Sequence, residues 1–356
     1  MMVNVVNFGG FFMGKVISFA SDYLEGANIE ILNKLIATNM EQTVGYGLDD
    51  YSISAKNKIR KACNAKDADI YFLIGGTQTN ATLIDCLLKP YEGVIAAETG
   101  HISVHEAGAI EFGGHKVLTL NHINGKISHY DIQKCIKNYY SDQNKEHMVM
   151  PGLVYISQPT EYGTLYTKKE LEDISNICKE YKLPLYLDGA RLAYGLAATD
   201  NDVTLEDIAR LCDVFYIGGT KCGALFGEAV VIPKHGFIPH IFTMIKQHGA
   251  LLAKGRITAL QFDVLFTDDL YYKNGKTAID FANLIRETLY NKGYEFAFHT
   301  PTNQIFIKLN DKQISKLEDH VRLGFWENLE DGKKVMRIAT SWATTKENVD
   351  KLISLL

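Results

Sequence analysis

The sequence predicts an α/β fold: a large domain with a mostly parallel seven-stranded sheet flanked by helices, plus a smaller C-terminal α+β domain. Three observations carry this expectation. Seven short apolar runs lie between residues 70 and 232. Helical periodicity fills the intervals between them, and helices interleaved with buried strands imply a parallel sheet covered on both faces. After about residue 265 the alternation stops, and a long helical pattern gives way to two further apolar runs.

In chain order the strands are read at IYFLI (70–74), GVIAAE (93–98), HKVLTL (115–120), GLVYIS (152–157), LPLYLD (183–188), CDVFYIG (212–218) and EAVVI (228–232). The clearest crossover helix is TKKELEDISNICKEY. Thr167 and Glu170 have capping-box spacing, and Leu171, Ile174, Ile177, Cys178 and Tyr181 form one apolar stripe. Beyond the large domain, a helix is expected from about Lys276 to Lys292. QIFIKL, a short helix, KVMRIAT and the closing helix KENVDKLISLL follow. The expected division is an N-terminal segment (1–45), a large domain (46–265) and a small domain (266–356).

Composition narrows the function class. Of 356 residues, 46% are apolar and 22% charged, which suits a packed globular core. The net charge is −5 and no basic run is interleaved with aromatics, so nucleic acid is not an expected partner. No run of about 18 apolar residues is present, so no membrane span is expected. The apolar opening MMVNVVNFGGFFMG lacks a basic flank and a small-residue cleavage site, so it is read as an extension before Met13 rather than a secretory signal. The six cysteines are scattered without CxxC spacing, which suits reduced thiols and a cytoplasmic location.

Ligands of such sheets bind beyond the strand C-termini. After IYFLI comes GGTQTN: Gly75 and Gly76 permit close backbone approach, and the helix that follows offers free N–H groups to an anion. Gly76, Thr77 and Gln78 are the candidate contacts; an ordinary glycine turn with a Thr cap is the alternative. The run matches neither a GxGxxG fingerprint nor a P-loop. His101 falls just after GVIAAE, placed to stack on a planar ring or to move a proton. His101 and His105 have the spacing of a metal pair, but no third ligand accompanies them, so no metal is expected. Asp188 ends LPLYL, with Arg191 three residues on. Either the two form a local ion pair, or Asp188 faces a cationic ligand nitrogen. Lys221 follows another strand, flanked by Gly218, Gly219 and Gly223, read as room for a bulky adduct. A phosphate cradle, a stacking His, an Asp for a pyridinium nitrogen and a Lys for a Schiff base are together what pyridoxal 5'-phosphate needs.

These residues resemble the threonine aldolase/β-eliminating lyase family of fold-type I pyridoxal phosphate enzymes, from about Ser18 to the C-terminus. SFASDYLEGA is similar to the family's opening segment, whose serine near the substrate carboxylate falls on Ser21. GGTQTN resembles its phosphate loop and GHISVHEAGAIE its ring-stacking segment. YLDGARLAYG, with Asp188 and Arg191, is the most specific match. Lys221 takes the Schiff-base position. KVMRIATSW places the carboxylate-binding arginine on Arg337, with Arg191 as a second contact. His147, ahead of GLVYIS, aligns with a histidine near the substrate hydroxyl. Departures include Gly75, where the family often has Ser or Thr, and HGALLAKGR, where an arginine reaches a neighbouring subunit's phosphate; Lys254 or Arg256 is the counterpart here.

The resemblance implies a low-specificity L-threonine aldolase, a carbon–carbon lyase that cleaves a β-hydroxy-α-amino acid to glycine and an aldehyde. Lys221, His101 and His147 are the implied catalytic residues. Two other readings remain open: β-elimination from an amino acid on the same cofactor, and a non-catalytic relative that binds it. The family also implies a homodimer or homotetramer with shared active sites, for which the apolar N-terminal stretch and the YYKNGK run are candidate interface surface.

Overall fold

The computed structural model describes residues 16–356; the apolar stretch offered above as interface surface lies outside the described residues. Eleven strands are present among them: β1 (Ile17–Phe19), β2 (Asp69–Leu73), β3 (Glu92–Ala97), β4 (Val117–Leu120), β5 (Met150–Ser157), β6 (Leu185–Asp188), β7 (Val214–Gly218), β8 (Glu228–Ile232), β9 (Gln304–Leu309), β10 (Val321–Asn328) and β11 (Lys334–Ala339).

Seven of these form one sheet in the order β2-β8-β7-β6-β5-β3-β4. Neighbours from β4 across to β7 run parallel, and only β8 is reversed, antiparallel to both β7 and β2. All seven expected strands are present, each within three residues of its expected bounds. Their apolar runs need no alternation because helices cover both faces: every residue of β3, β6 and β7 is buried. Side chains still divide by period two. Ile95, Ile156, Leu187 and Ile217 join a core on one face, while Val94, Tyr155, Tyr186 and Tyr216 join a core on the other. Burying each such large side chain contributes about 1.5–3 kcal/mol.

The crossover helix Lys168–Tyr181 starts at the expected capping box: the Thr167 carboxylate partner Glu170 accepts from Thr167 N–H at 2.8 Å, and Thr167 Oγ1 accepts from Glu170 N–H at 3.2 Å. Leu171, Ile174 and Cys178 are its buried stripe.

A second, four-stranded sheet has the order β1-β10-β11-β9, with β1 parallel to β10 and the other pairs antiparallel. Strand β10 has no counterpart in the sequence reading. Its burial alternates poorly, and its pairing with β11 shifts register between Phe325 and Glu327, a bulge that breaks the period-two signal. The long helix begins at Leu270, not Lys276. The reason is packing: Tyr271 is fully buried and its hydroxyl donates to Gly218 O at 3.1 Å, and Asn274 Nδ2 donates to Cys222 O at 3.0 Å. Tyr271, Asn274 and Gly275 of the YYKNGK run therefore belong to the core, which corrects its reading as interface surface.

Candidate active site

The ends of β2, β5, β6 and β7, with the start of the reversed β8, open onto one cleft of about 170 Å³. It is bordered by Gly76, Thr77, His101, Asp188, Arg191 and Lys221. A second cavity, of about 430 Å³, shares His101, Glu161, Arg191 and Lys221 and adds Tyr23, His105, Trp326 and Arg337. Gly76 and Lys221, 145 positions apart, are thus brought to one place by the rule that parallel strands end on the same edge.

Asp188 is buried at the end of β6 and accepts four hydrogen bonds. Tyr216 Oη (2.5 Å) and Ala190 N–H (3.0 Å) donate to Oδ1; Tyr155 Oη (2.6 Å) and Asn80 Nδ2 (3.2 Å) donate to Oδ2. Burial alone would raise its pKa. The charge of His101 and the bonds from Tyr155, Tyr216 and Ala190 outweigh it and keep the carboxyl below its ordinary value. The local Asp188–Arg191 ion pair does not form. Arg191 turns instead to Asp22, with Nε to Oδ2 at 2.6 Å and Nη2 to Oδ1 at 3.0 Å.

Helix Gly76–Leu87 points its start at the cleft, with Gly75 as a cap that supplies no side-chain bond. Its first ladder bond runs from Thr79 N–H to Gly75 O, so the N–H groups of Gly76, Thr77 and Gln78 precede the ladder. A Cβ at Gly75 would meet nothing within 4 Å. Gln78 does not border the cleft; its side-chain oxygen accepts from Ile74 N–H at 3.4 Å.

His101 opens the short helix after β3. Its Nδ1 lies 2.7 Å from Glu106 Oε1, which orients the ring. Asn80 Nδ2 also donates to that oxygen at 2.7 Å, and Tyr186 Oη donates to Asn80 Oδ1 at 2.7 Å. One buried network therefore joins the Asp188 and His101 supports.

Lys221 Nζ makes no hydrogen bond or ion pair among the described residues. Burial, then the Arg191 charge, lower its pKa, favouring the neutral amine that a nucleophilic lysine needs. Beside it Glu228 accepts from Thr220 Oγ1 at 2.9 Å and Gly219 N–H at 3.2 Å; burial pushes this carboxyl up to about 8. The glycines around Lys221 serve backbone packing rather than an adduct. A Cβ at Gly218 would lie 2.3 Å from Ala190 O, and one at Gly223, where φ is +112°, would lie 2.4 Å from Asn274 Nδ2.

Arg337 on β11 donates through Nη2 to Ala20 O at 2.7 Å and through Nη1 to Gln304 at 3.1 Å. Its Nε and the Ser21 Oγ are buried without a protein partner, and Ser21 borders neither the cleft nor the larger cavity. His147 is not brought to the site. It is exposed, in the turn Lys145–His147 ahead of β5, and so at the opposite end of that eight-residue strand, roughly 25 Å away. Lys254 and Arg256 do not border the cleft of their own chain, and Arg256 Nη2 donates to Thr38 O at 2.9 Å.

Asp22, Glu106, Glu161 and Glu228 were missed in the sequence. Asp22 adjoins Ser21, and Glu106 follows His101 by five residues, so both lay within quoted motifs. Glu228 required knowing that β8 is reversed, which brings its first residue to the ligand edge.

A model of the beta-eliminating lyase family matches residues 18–349. The chain belongs to that family. Low specificity L-threonine aldolases of Pseudomonas sp. (strain NCIMB 10558) and Pseudomonas aeruginosa are 28% and 29% identical, and each match covers 94% of this chain and 95% of the relative. A solved threonine aldolase of Leishmania major superposes with a TM-score of 0.92 at 44% identity, covering 95% of this chain and 98% of that one. An aspartate aminotransferase of Thermus thermophilus shares the fold alone, with a TM-score of 0.68 at 13% identity. This is the fold-type I architecture, and the family's cofactor is pyridoxal 5'-phosphate. The donor set fits that cofactor: a buried carboxylate held ionised, an unpartnered amine, and a helix start ready for an anion. No helix among the described residues is long and apolar enough to cross a membrane.

Proposed function

We propose that this protein is a low-specificity L-threonine aldolase, a pyridoxal phosphate-dependent carbon–carbon lyase that cleaves β-hydroxy-α-amino acids to glycine and an aldehyde. One observation carries the reading. The Lys221–Asp188 cleft shares His101, Glu161, Arg191 and Lys221 with a larger cavity that Arg337, the proposed carboxylate binder, also borders.

When bound, pyridoxal phosphate supplies an electron sink for the pair left on Cα. Asp188, held ionised by its four donors, would keep the ring nitrogen protonated. Gly76 and Thr77 would receive the phosphate on the helix start, with Gln78 contributing its backbone N–H. His101, fixed by Glu106, would stack on the ring. Lys221 is the amine that would hold the cofactor. Arg337 and Ser21 grip the substrate carboxylate. Arg191, whose fork is largely taken by Asp22, retains Nη1 for a second contact. Fixing the carboxylate orients the Cα–Cβ bond for cleavage.

The active unit is proposed to be a homodimer or homotetramer in the cytoplasm. Ile36 and Met40 are 75% and 89% exposed, and Tyr46 and Leu48 are exposed nearby. Tyr46 N–H donates to Ala253 O, so this apolar strip adjoins Lys254 and Arg256, the pair assigned to a neighbouring subunit's phosphate. Six free cysteines suit a reducing compartment. Residues 46–265 form the proposed cofactor domain and 266–356 the small domain, with 1–45 as an N-terminal segment.

The test is product analysis with cofactor-loaded protein. L-threonine and L-allo-threonine should each release glycine and acetaldehyde in equal amounts. Pyruvate or 2-oxobutanoate without acetaldehyde would reassign the protein to β-elimination.

A further inference from the structure

Aldol cleavage needs a group that takes the proton of the substrate's β-hydroxyl. With His147 at the far edge of the sheet, three imidazole or carboxyl groups border the Arg337 cavity: His101, His105 and Glu161. His101 has its Nδ1 committed to Glu106. His105 is exposed at the rim, with its ring 5.7 Å from that of His101.

Glu161 differs from both. It follows β5 by four residues and is buried, yet it borders both the Lys221 cleft and the Arg337 cavity. Only one of its carboxylate oxygens is anchored: Oε1 accepts from Ser157 Oγ at 2.8 Å and from His101 N–H at 2.9 Å. Oε2 has no hydrogen-bond partner among the described residues. The main chain is tied to the carboxylate clamp as well. Gln304 Nε2 donates to Glu161 O at 3.4 Å, and Gln304 Oε1 accepts from Arg337 Nη1 at 3.1 Å. One side chain, Gln304, therefore links the Arg337 guanidinium to the Glu161 main chain.

We propose that Glu161 Oε2 is the catalytic base for the β-hydroxyl. The inference rests on the aldolase reading above. Oε2 takes the hydroxyl proton, and the O–H electron pair becomes the second C–O bond of the aldehyde. The Cα–Cβ bond breaks with its electrons left on Cα. Solvent then supplies a proton to Cα to complete glycine, and Glu161 returns its own proton to solvent, so atoms and charge balance. Burial raises the carboxyl's pKa against the opposing bonds from the backbone and Ser157, which strengthens it as a base at neutral pH.

Two reactions of the holoenzyme separate this role from a structural one. Cleavage needs the hydroxyl base; exchange of the glycine α-hydrogen in D2O does not. Glu161→Gln should lower kcat for L-threonine cleavage by about 10²-fold with KM little changed. Glycine exchange and the visible cofactor band should stay close to wild type, and the acid limb of the kcat profile should disappear. Ser157→Ala keeps the carboxylate but removes a bond to its charged form, so the acid limb should move to higher pH. Parallel loss of exchange and cleavage in Glu161→Gln, full cleavage in that variant, or an unmoved limb in Ser157→Ala would each overturn the proposal. A selective cleavage loss in His105→Gln instead would do the same. Failure of the aldolase reading looks different: wild-type protein would exchange glycine yet cleave no β-hydroxy amino acid.

Discussion

Asp22 grips the guanidinium of Arg191 through both carboxylate oxygens, at 2.6 and 3.0 Å, across 169 residues of sequence. The pair ties the N-terminal segment to the end of β6, and Asn303 Nδ2 adds a third bond at 3.0 Å. Breaking one partner of such a buried pair costs about 3–5 kcal/mol, because the other charge is left without compensation. Asp22→Asn should lower unfolding stability by roughly that amount, and denaturant titration would measure it. A loss within experimental error of zero would mean that Arg191 finds another anion.

The same pair has a pH signature. Burial would raise the Asp22 carboxyl, but the charges of Arg191 and Lys221 and bonds from Arg191 and Asn303 bring it from 3.8 down to about 2. A depressed native value contributes stability that is fully present above pH 3.8 and is lost as pH falls toward 2. That contribution is about 2 kcal/mol. Wild-type protein should lose stability more steeply than Asp22→Asn across that window in acid titrations.

Asp188→Asn should weaken cofactor binding about 10- to 100-fold. The amide keeps the shape but turns an NH2 toward Tyr155 and Asn80, or toward Tyr216 and Ala190, whose donors then lack an acceptor. Each buried unpaired donor costs about 1–3 kcal/mol. Titrating apoprotein with pyridoxal phosphate and following absorbance measures the change.

Arg337→Lys should raise KM for threonine about 10- to 100-fold and leave the cofactor band unchanged. Lysine replaces a planar fork by a point charge and removes the Nε–H, which has no protein partner of its own. Steady-state kinetics beside an absorbance spectrum separates the two effects.

Much of the fold was legible because buried parallel strands write themselves as apolar runs, and β2 through β8 are such runs. Strand β10 was not, since a half-exposed, bulged strand carries little periodicity. For the site, Asp188, Lys221 and His101 stood out because they end or closely follow strands. His147 misled because a loop before a strand and a loop after it look alike in sequence but lie at opposite edges of the sheet. Glu161 and Glu228 were invisible for a related reason: their places depend on the turn after β5 and on the reversal of β8, which no local pattern encodes.

The most direct measurement of the central claim is chemical. Holoenzyme reduced with borohydride would be digested, and the lysine carrying the cofactor identified by mass spectrometry. The account predicts label on Lys221 alone, and loss of both the label and the visible band in Lys221→Ala. Label on any other lysine, or an unchanged band in Lys221→Ala, would contradict it.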